Sequence, residues 1–136
     1  MEELIRVTPN KEKARSILRM AETTLEMIEQ IDSEKFPSNV TKEYYDVIRE
    51  LTSIILLLDG FKTSGEGAHR KQIEYLEAKC REFSSAEIAL LDDLRITRNK
   101  IAYDGFFVKE SYIERKIPDI QRIVEKMKEI INRNLG

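Results

Sequence analysis

Tyr44-Tyr45-Asp46-Val47-Ile48-Arg49-Glu50-Leu51-Thr52-Ser53-Ile54-Ile55-Leu56-Leu57-Leu58 decides the fold class of this chain. Its apolar residues Tyr44, Val47, Ile48, Leu51, Ile54, Ile55 and Leu58 recur at steps of three and four, the period of one face of an α-helix. Leu56 and Leu57 widen that stripe beyond a single face. The end of this helix is therefore expected to be buried on several sides or to form a subunit contact. Upstream, Phe36-Pro37-Ser38-Asn39 interrupts the pattern, and downstream the helix should stop near Gly60 or Phe61.

The same period extends outward in both directions. Ala14, Ile17, Leu18, Ala21, Leu25, Ile28 and Ile31 predict a first helix running to about Asp32, with Thr8-Pro9 suited to its N-cap and first position. Three of the five glycines fall in residues 60–67, which predicts the most flexible connection of the chain. A third helix should restart near Ala68, with Ile73, Leu76 and Cys80 as a short apolar face. Ser84-Ser85-Ala86-Glu87 has the form of a capping box and opens a fourth, whose expected inner face is Leu90, Leu94, Thr97 and Ile101. Gly105 suits a left-handed stop. The last helix carries the stripe Ile113, Ile117, Ile120, Val124, Met127 and Ile131, with Pro118 expected to kink it or to delay its start. No segment alternates long enough to predict a strand. The expectation is an all-α fold, a four- to five-helix up-and-down antiparallel bundle, as a single domain over residues 1–136.

Composition narrows the function. With 41% hydrophobic and 35% charged residues the chain reads as a soluble globular protein. Its longest apolar run, Ile54 to Leu58, is five residues, against the ~20 a spanning helix needs. Met1-Glu2-Glu3 does not begin a secretory signal, so the cytoplasm is the expected location and no membrane is involved. Cys80 and His69 are the only residues of their types, which excludes a disulfide within the chain and a zinc site of the usual Cys/His kind. Glu43, Asp46 and Glu50 lie at helical spacing, but a di-iron centre needs Glu-x-x-His pairs that one histidine cannot supply. The acid pairs Glu2-Glu3 and Asp92-Asp93 suggest no further site, and neither metal nor cofactor is expected. No Gly-x-Ser-x-Gly elbow is present, and Gly65-Glu66-Gly67 lacks the strand and Lys-Ser/Thr of a phosphate-binding loop. A net charge of -2 argues against nucleic-acid binding through the whole surface and leaves room for a local patch.

The best local patch is Leu94-Arg95-Ile96-Thr97-Arg98-Asn99-Lys100-Ile101-Ala102-Tyr103-Asp104-Gly105. Arginine makes bidentate contacts with phosphate and keeps its charge at any physiological pH, so RNA or a nucleotide is a natural ligand. Arg95, Arg98 and Asn99 share a helical face, whereas Tyr103 lies about 140° round from Arg98 unless the helix ends between them. The plainer reading pairs Arg95, Arg98 and Lys100 with Asp92, Asp93 or Asp104 at a helix C-terminus that favours cations.

This segment resembles the HEPN domains, helical proteins often carried beside a nucleotidyltransferase in prokaryotic genomes. Their signature is Arg-Asn, a short spacer and His; here the matching residues are Arg98, Asn99 and, in place of histidine, Tyr103. Tyr44-Tyr45 and the rest of its helix extend the resemblance, and Gly60-Phe61-Lys62-Thr63 is similar to the Gly-Tyr-Lys-Thr of archaeal-looking members. The resemblance implies a homodimer formed through the helices flanking the motif, a nucleotidyltransferase partner, and a toxin-antitoxin-like or regulatory role. In active members the arginine and histidine cleave RNA without metal. A tyrosine with its ordinary pKa near 10 is a poor base at neutral pH, so the substitution favours binding through Arg95, Arg98, Asn99 and Tyr103 over efficient catalysis. Two alternatives stand beside this one. One is a metal-independent endoribonuclease using Arg98 with Tyr103 or His69; the other is a structural adaptor docking another helix on Ile54 to Leu58.

Overall fold

The computed structural model describes residues 3–136 and contains five helices and one small antiparallel sheet among them. A short strand β1 (Glu3–Arg6) leads into α1 (Lys11–Glu29) and α2 (Pro37–Asp59). The second strand β2 (Phe61–Ser64) follows at once, then α3 (Ala68–Lys79), α4 (Ser85–Asp104) and α5 (Glu110–Leu135). The all-α bundle expected from the periodicity is the observed architecture, and Met1 and Glu2, half of one expected acid pair, lie outside the described residues.

α2 is the hub, packing against α1, α3, α4 and α5 alike. Leu51, Ile54, Ile55 and Leu56 are all but fully enclosed, so the widened stripe is buried on several sides within one chain. Ile54 to Leu56 are sealed within the chain, and Leu57 and Leu58 are partly buried against the same core. An α-helix surrounded by four others has to be apolar nearly all round, which is why this segment departs from a one-faced pattern. The other stripes close over it. Ala14, Leu18, Ala21 and Ile28 come from α1, and Ile113, Ile120, Val124, Met127 and Ile131 from α5; all join one contiguous core.

Local chemistry sets the helix ends. Asn10, not Thr8, caps α1, its Oδ1 accepting from the Lys13 amide at 3.0 Å. Pro9 is drawn instead against Gly60, where the chain leaving β1 crosses the end of α2. The expected capping box at Ser84 and Glu87 forms in both directions. The fourth helix turns slightly from its expected face: Ile88, Leu91, Leu94 and Thr97 are buried, while Leu90 and Ile101 lie at the margin. α5 begins at Glu110 and continues through Pro118, so the proline does not delay the start.

The sheet corrects the expectation of no strands. β1 and β2 pair in register Leu4 with Thr63 and Ile5 with Lys62, and the Val7 amide donates to the Gly60 carbonyl at 2.9 Å. Four-residue strands are too short to reveal alternation, and their partners stand far apart in the chain. The segment expected to be most flexible is thus half strand. Gly60 ends α2 in the left-handed region at φ 90, with a Cβ there only 3.3 Å from the Val7 oxygen. Tyr75 of α3 then donates to Asp59 at 2.6 Å, fixing α3 to the end of α2.

Gly60 should therefore tolerate no side chain. Gly60→Ala is expected to lose about 1–2 kcal/mol from left-handed strain alone, plus the Val7 contact. Urea unfolding of the purified variant checks this, and a stability equal to the parent would show that the β1–β2 ribbon is not held by this turn.

Candidate functional site

Because α2 is enclosed, its polar residues sit at seams between helices. Asp46, Arg49 and Glu50 follow one another on its least apolar edge and are all half-buried. α4 crosses there and brings Arg98, whose Nε lies 3.4 Å from Asp46 Oδ1 with the arginine side chain only 14% exposed. The two enclosed atoms form an ion pair without hydrogen-bond alignment. Arg49 Nη2 approaches the same Asp46 oxygen at 4.0 Å, so one carboxylate oxygen serves two guanidinium groups. Arg95, one turn before Arg98, is held separately by Asp92 at 2.9 Å.

His69 joins this cluster from the first turn of α3. Arg49 Nη1 lies 3.2 Å from His69 Nε2. Arginine can only donate, so the Nε2 lone pair accepts and the proton of a neutral imidazole is assigned to Nδ1. Burial pushes the His69 pKa below its ordinary 6.5, and the charges of Arg49 and Arg98 push it the same way against the pull of Asp46. The imidazole also lies beside Tyr45, ring centres 6.3 Å apart. Burial drives the Tyr45 hydroxyl up to about 12 despite the nearby Arg95, Arg49 and Arg98. Glu50 is raised as well, by burial first and by Asp46 and Glu43, with Arg49 opposing. One of its oxygens is enclosed with no hydrogen-bond partner.

The residues expected at the site thus separate into two groups. Arg95, Arg98 and His69 come together with Asp46, Arg49, Glu50 and Tyr45. Tyr103 does not: it is 77% exposed near the end of α4, whose helical turn continues through Asp104 before Gly105 stops it at φ 64. Within one chain, Arg98 and Tyr103 therefore do not converge. Asn99 is half-buried beside Arg98, and Lys100 lies over the Phe106 ring at 5.9 Å. The plainer pairing holds for Arg95 with Asp92 and fails for Arg98, whose partner is on another helix. Asp93 instead accepts from Tyr112 at 2.7 Å.

Arg49 had no distinguishing mark in the sequence beyond its place one turn after Asp46. Glu43, Asp46 and Glu50 do not gather as a carboxylate cage; among the described residues the acidic side chains that do are Glu34, Glu110 and Glu114, all exposed. No helix among the described residues is long and apolar enough to cross a membrane. No known family model matches the chain, and no curated relative was found for it.

The His69 shift has a sign that can be checked. Its pKa is lower folded than unfolded, so the unfolded chain binds more protons just below pH 6.5. Its contribution to stability is complete above that pH and is lost as pH falls through the folded value. Urea unfolding between pH 5 and pH 8 should show the parent losing stability faster than His69→Gln on the acid side. Parallel profiles would mean that the imidazole titrates as it does in the unfolded chain.

Proposed function

We propose that this protein is a HEPN-like helical domain that binds RNA or a nucleotide through the neighbourhood of Arg98, with little or no catalytic power. The observation that carries this reading is the sharing of one Asp46 oxygen by Arg49 and Arg98, two guanidinium groups set beside Arg95 and Asn99. Guanidinium groups that share one carboxylate oxygen retain donors for phosphate oxygens. Tyr103, exposed on the same helix, stacks on a base or donates to phosphate. Its distance round the helix from Arg98 is the argument against efficient cleavage by that pair.

A homodimer and a nucleotidyltransferase partner belong to the same proposal, within a regulatory or toxin-antitoxin-like pair in the cytoplasm. What supports a contact between copies is the exposure of Ile96, Tyr103, Phe106 and Phe107 along α4 and the loop after it, Phe107 at 85%. A second reading, a metal-independent endoribonuclease, is favoured by one observation: His69 stands neutral beside Arg49, within the electrostatic reach of Arg98. In that reaction an RNA 2′-hydroxyl attacks the adjacent phosphorus, its proton passes to His69 Nε2 once that nitrogen is released from Arg49, and the 5′-oxygen leaves with a proton taken from water. A cyclic phosphate and a 5′-hydroxyl end result.

The test incubates a mixed RNA pool with the protein and with Arg98→Ala, in chelator, and measures binding and cleavage together. The parent should bind without appreciable cleavage, and the folded variant at least tenfold more weakly. Light scattering on the same samples should give twice the chain mass. Equal RNA affinity in a folded Arg98→Ala protein would remove the proposal, cleavage abolished in that variant would establish the nuclease, and a monomer would remove the dimer.

A further inference from the structure

Lys11, Arg15, Arg19, Glu22, Glu26 and Glu29 run along one face of α1 at steps of three and four. The first half of this row is basic throughout and the second half acidic. All but the half-buried Glu22 are exposed. Within the row, Glu22 alone has an ion-pair partner among the described residues, Lys128 at 3.4 Å. Arg15 donates only to the Leu135 carbonyl, at 3.4 Å. Beside the row, the seam with α5 opens into two hollows, one of about 520 Å³ at Arg15 and Arg19 and one of about 460 Å³ at Glu22, Glu26 and Glu29.

This order of charges works against α1 as a helix standing alone. Like charges four apart repel, as Lys11 does Arg15, Arg15 does Arg19, and Glu22 does Glu26. The helix dipole favours cations in the last turn, yet that turn holds Glu26 and Glu29 and no base. Reversed in direction, the same row is the complement of itself. We infer that α1 pairs antiparallel with α1 of a second copy about a two-fold axis between Met20 and Ala21, Arg15 facing Glu26 of the second copy and Arg19 facing its Glu22.

The symmetry repeats each pair, and Lys11 reaches the acidic end of the opposite helix. A parallel pairing would set bases against bases and acids against acids, so the charges fix the direction as well as the register. Antiparallel helices also set each dipole against the opposite end of the other. Leu18 and Leu25 line the hollows, and the aliphatic stems of the arginines cover them while the charged heads reach across. The contact shares no residue with the one proposed around Ile96, Tyr103, Phe106 and Phe107 and does not rest on it. A chain that makes both assembles beyond a pair.

Salt separates the two contacts, because one is made of exposed charges and the other of apolar side chains. Sedimentation equilibrium of the full chain at high protein concentration should give at least double the mass in about 20 mM salt that it gives in about 0.5 M, where exposed charges are screened. Arg15→Glu alone and Glu26→Lys alone, both at exposed positions, each set like charges face to face and should keep the high-salt mass at low salt. The two substitutions in one chain restore opposite charges and should regain the doubled mass. A mass independent of salt, single reversals that still double, or a double reversal that stays at the high-salt mass would overturn the inference. A high-salt mass of one chain that doubles at low salt would leave this contact standing and remove the dimer through α4, while a mass of two chains at every salt concentration would do the reverse.

Discussion

Everything in this molecule depends on the burial of α2. Four helices lean on it, and Leu51, Ile54, Ile55 and Leu56 at its centre have almost no contact with water. Side chains of that size each contribute roughly 1.5–3 kcal/mol when removed from water, so this one helix supplies a large part of the drive to fold. The consequence for chemistry is geometric. A helix covered on most sides leaves its polar residues only the seams where neighbours meet, and Asp46, Arg49 and Glu50 are half-buried there.

Those seams explain the electrostatics. A carboxylate in a seam needs cations, and α4 meets that need with Arg98 rather than with a residue of α2 alone. Burial first, and then the two guanidinium groups on one carboxylate oxygen, lower the proton affinity of the imidazole that α3 delivers beside them. Tyr45, Glu50 and His69 all depart from their ordinary titration in the direction that disfavours charge, as burial requires. Shifts of this kind gather at functional sites more often than elsewhere, because such sites place titratable groups where burial and neighbouring charges set their proton affinity.

The helices were legible in the sequence because each carries several turns of apolar periodicity, and the ends at Ser84 and Gly105 because their chemistry is local. The β1–β2 ribbon was not, since each strand is four residues long and the pairing joins the start of the chain to the far side of α2. The site was legible in part. Arg95, Arg98 and His69 were singled out as residue types, but no spacing brings Arg98 to Asp46 or His69 to Arg49; those meetings are made by helix packing. Nothing in the sequence distinguishes Arg49 from an ordinary solvated charge on a helix. Tyr103 illustrates the converse, for its place in the motif suggested convergence with Arg98, while the helix carries it round to solvent before Gly105 ends the turn.

The most direct test of this account maps the bound surface itself. Backbone amide resonances of the labelled protein, recorded as a short single-stranded RNA is added, should shift most around Arg49, His69, Arg95, Arg98 and Asn99, where three helices meet at Asp46. Shifts confined to other surfaces, with the residues around Asp46 unmoved at saturation, would contradict it.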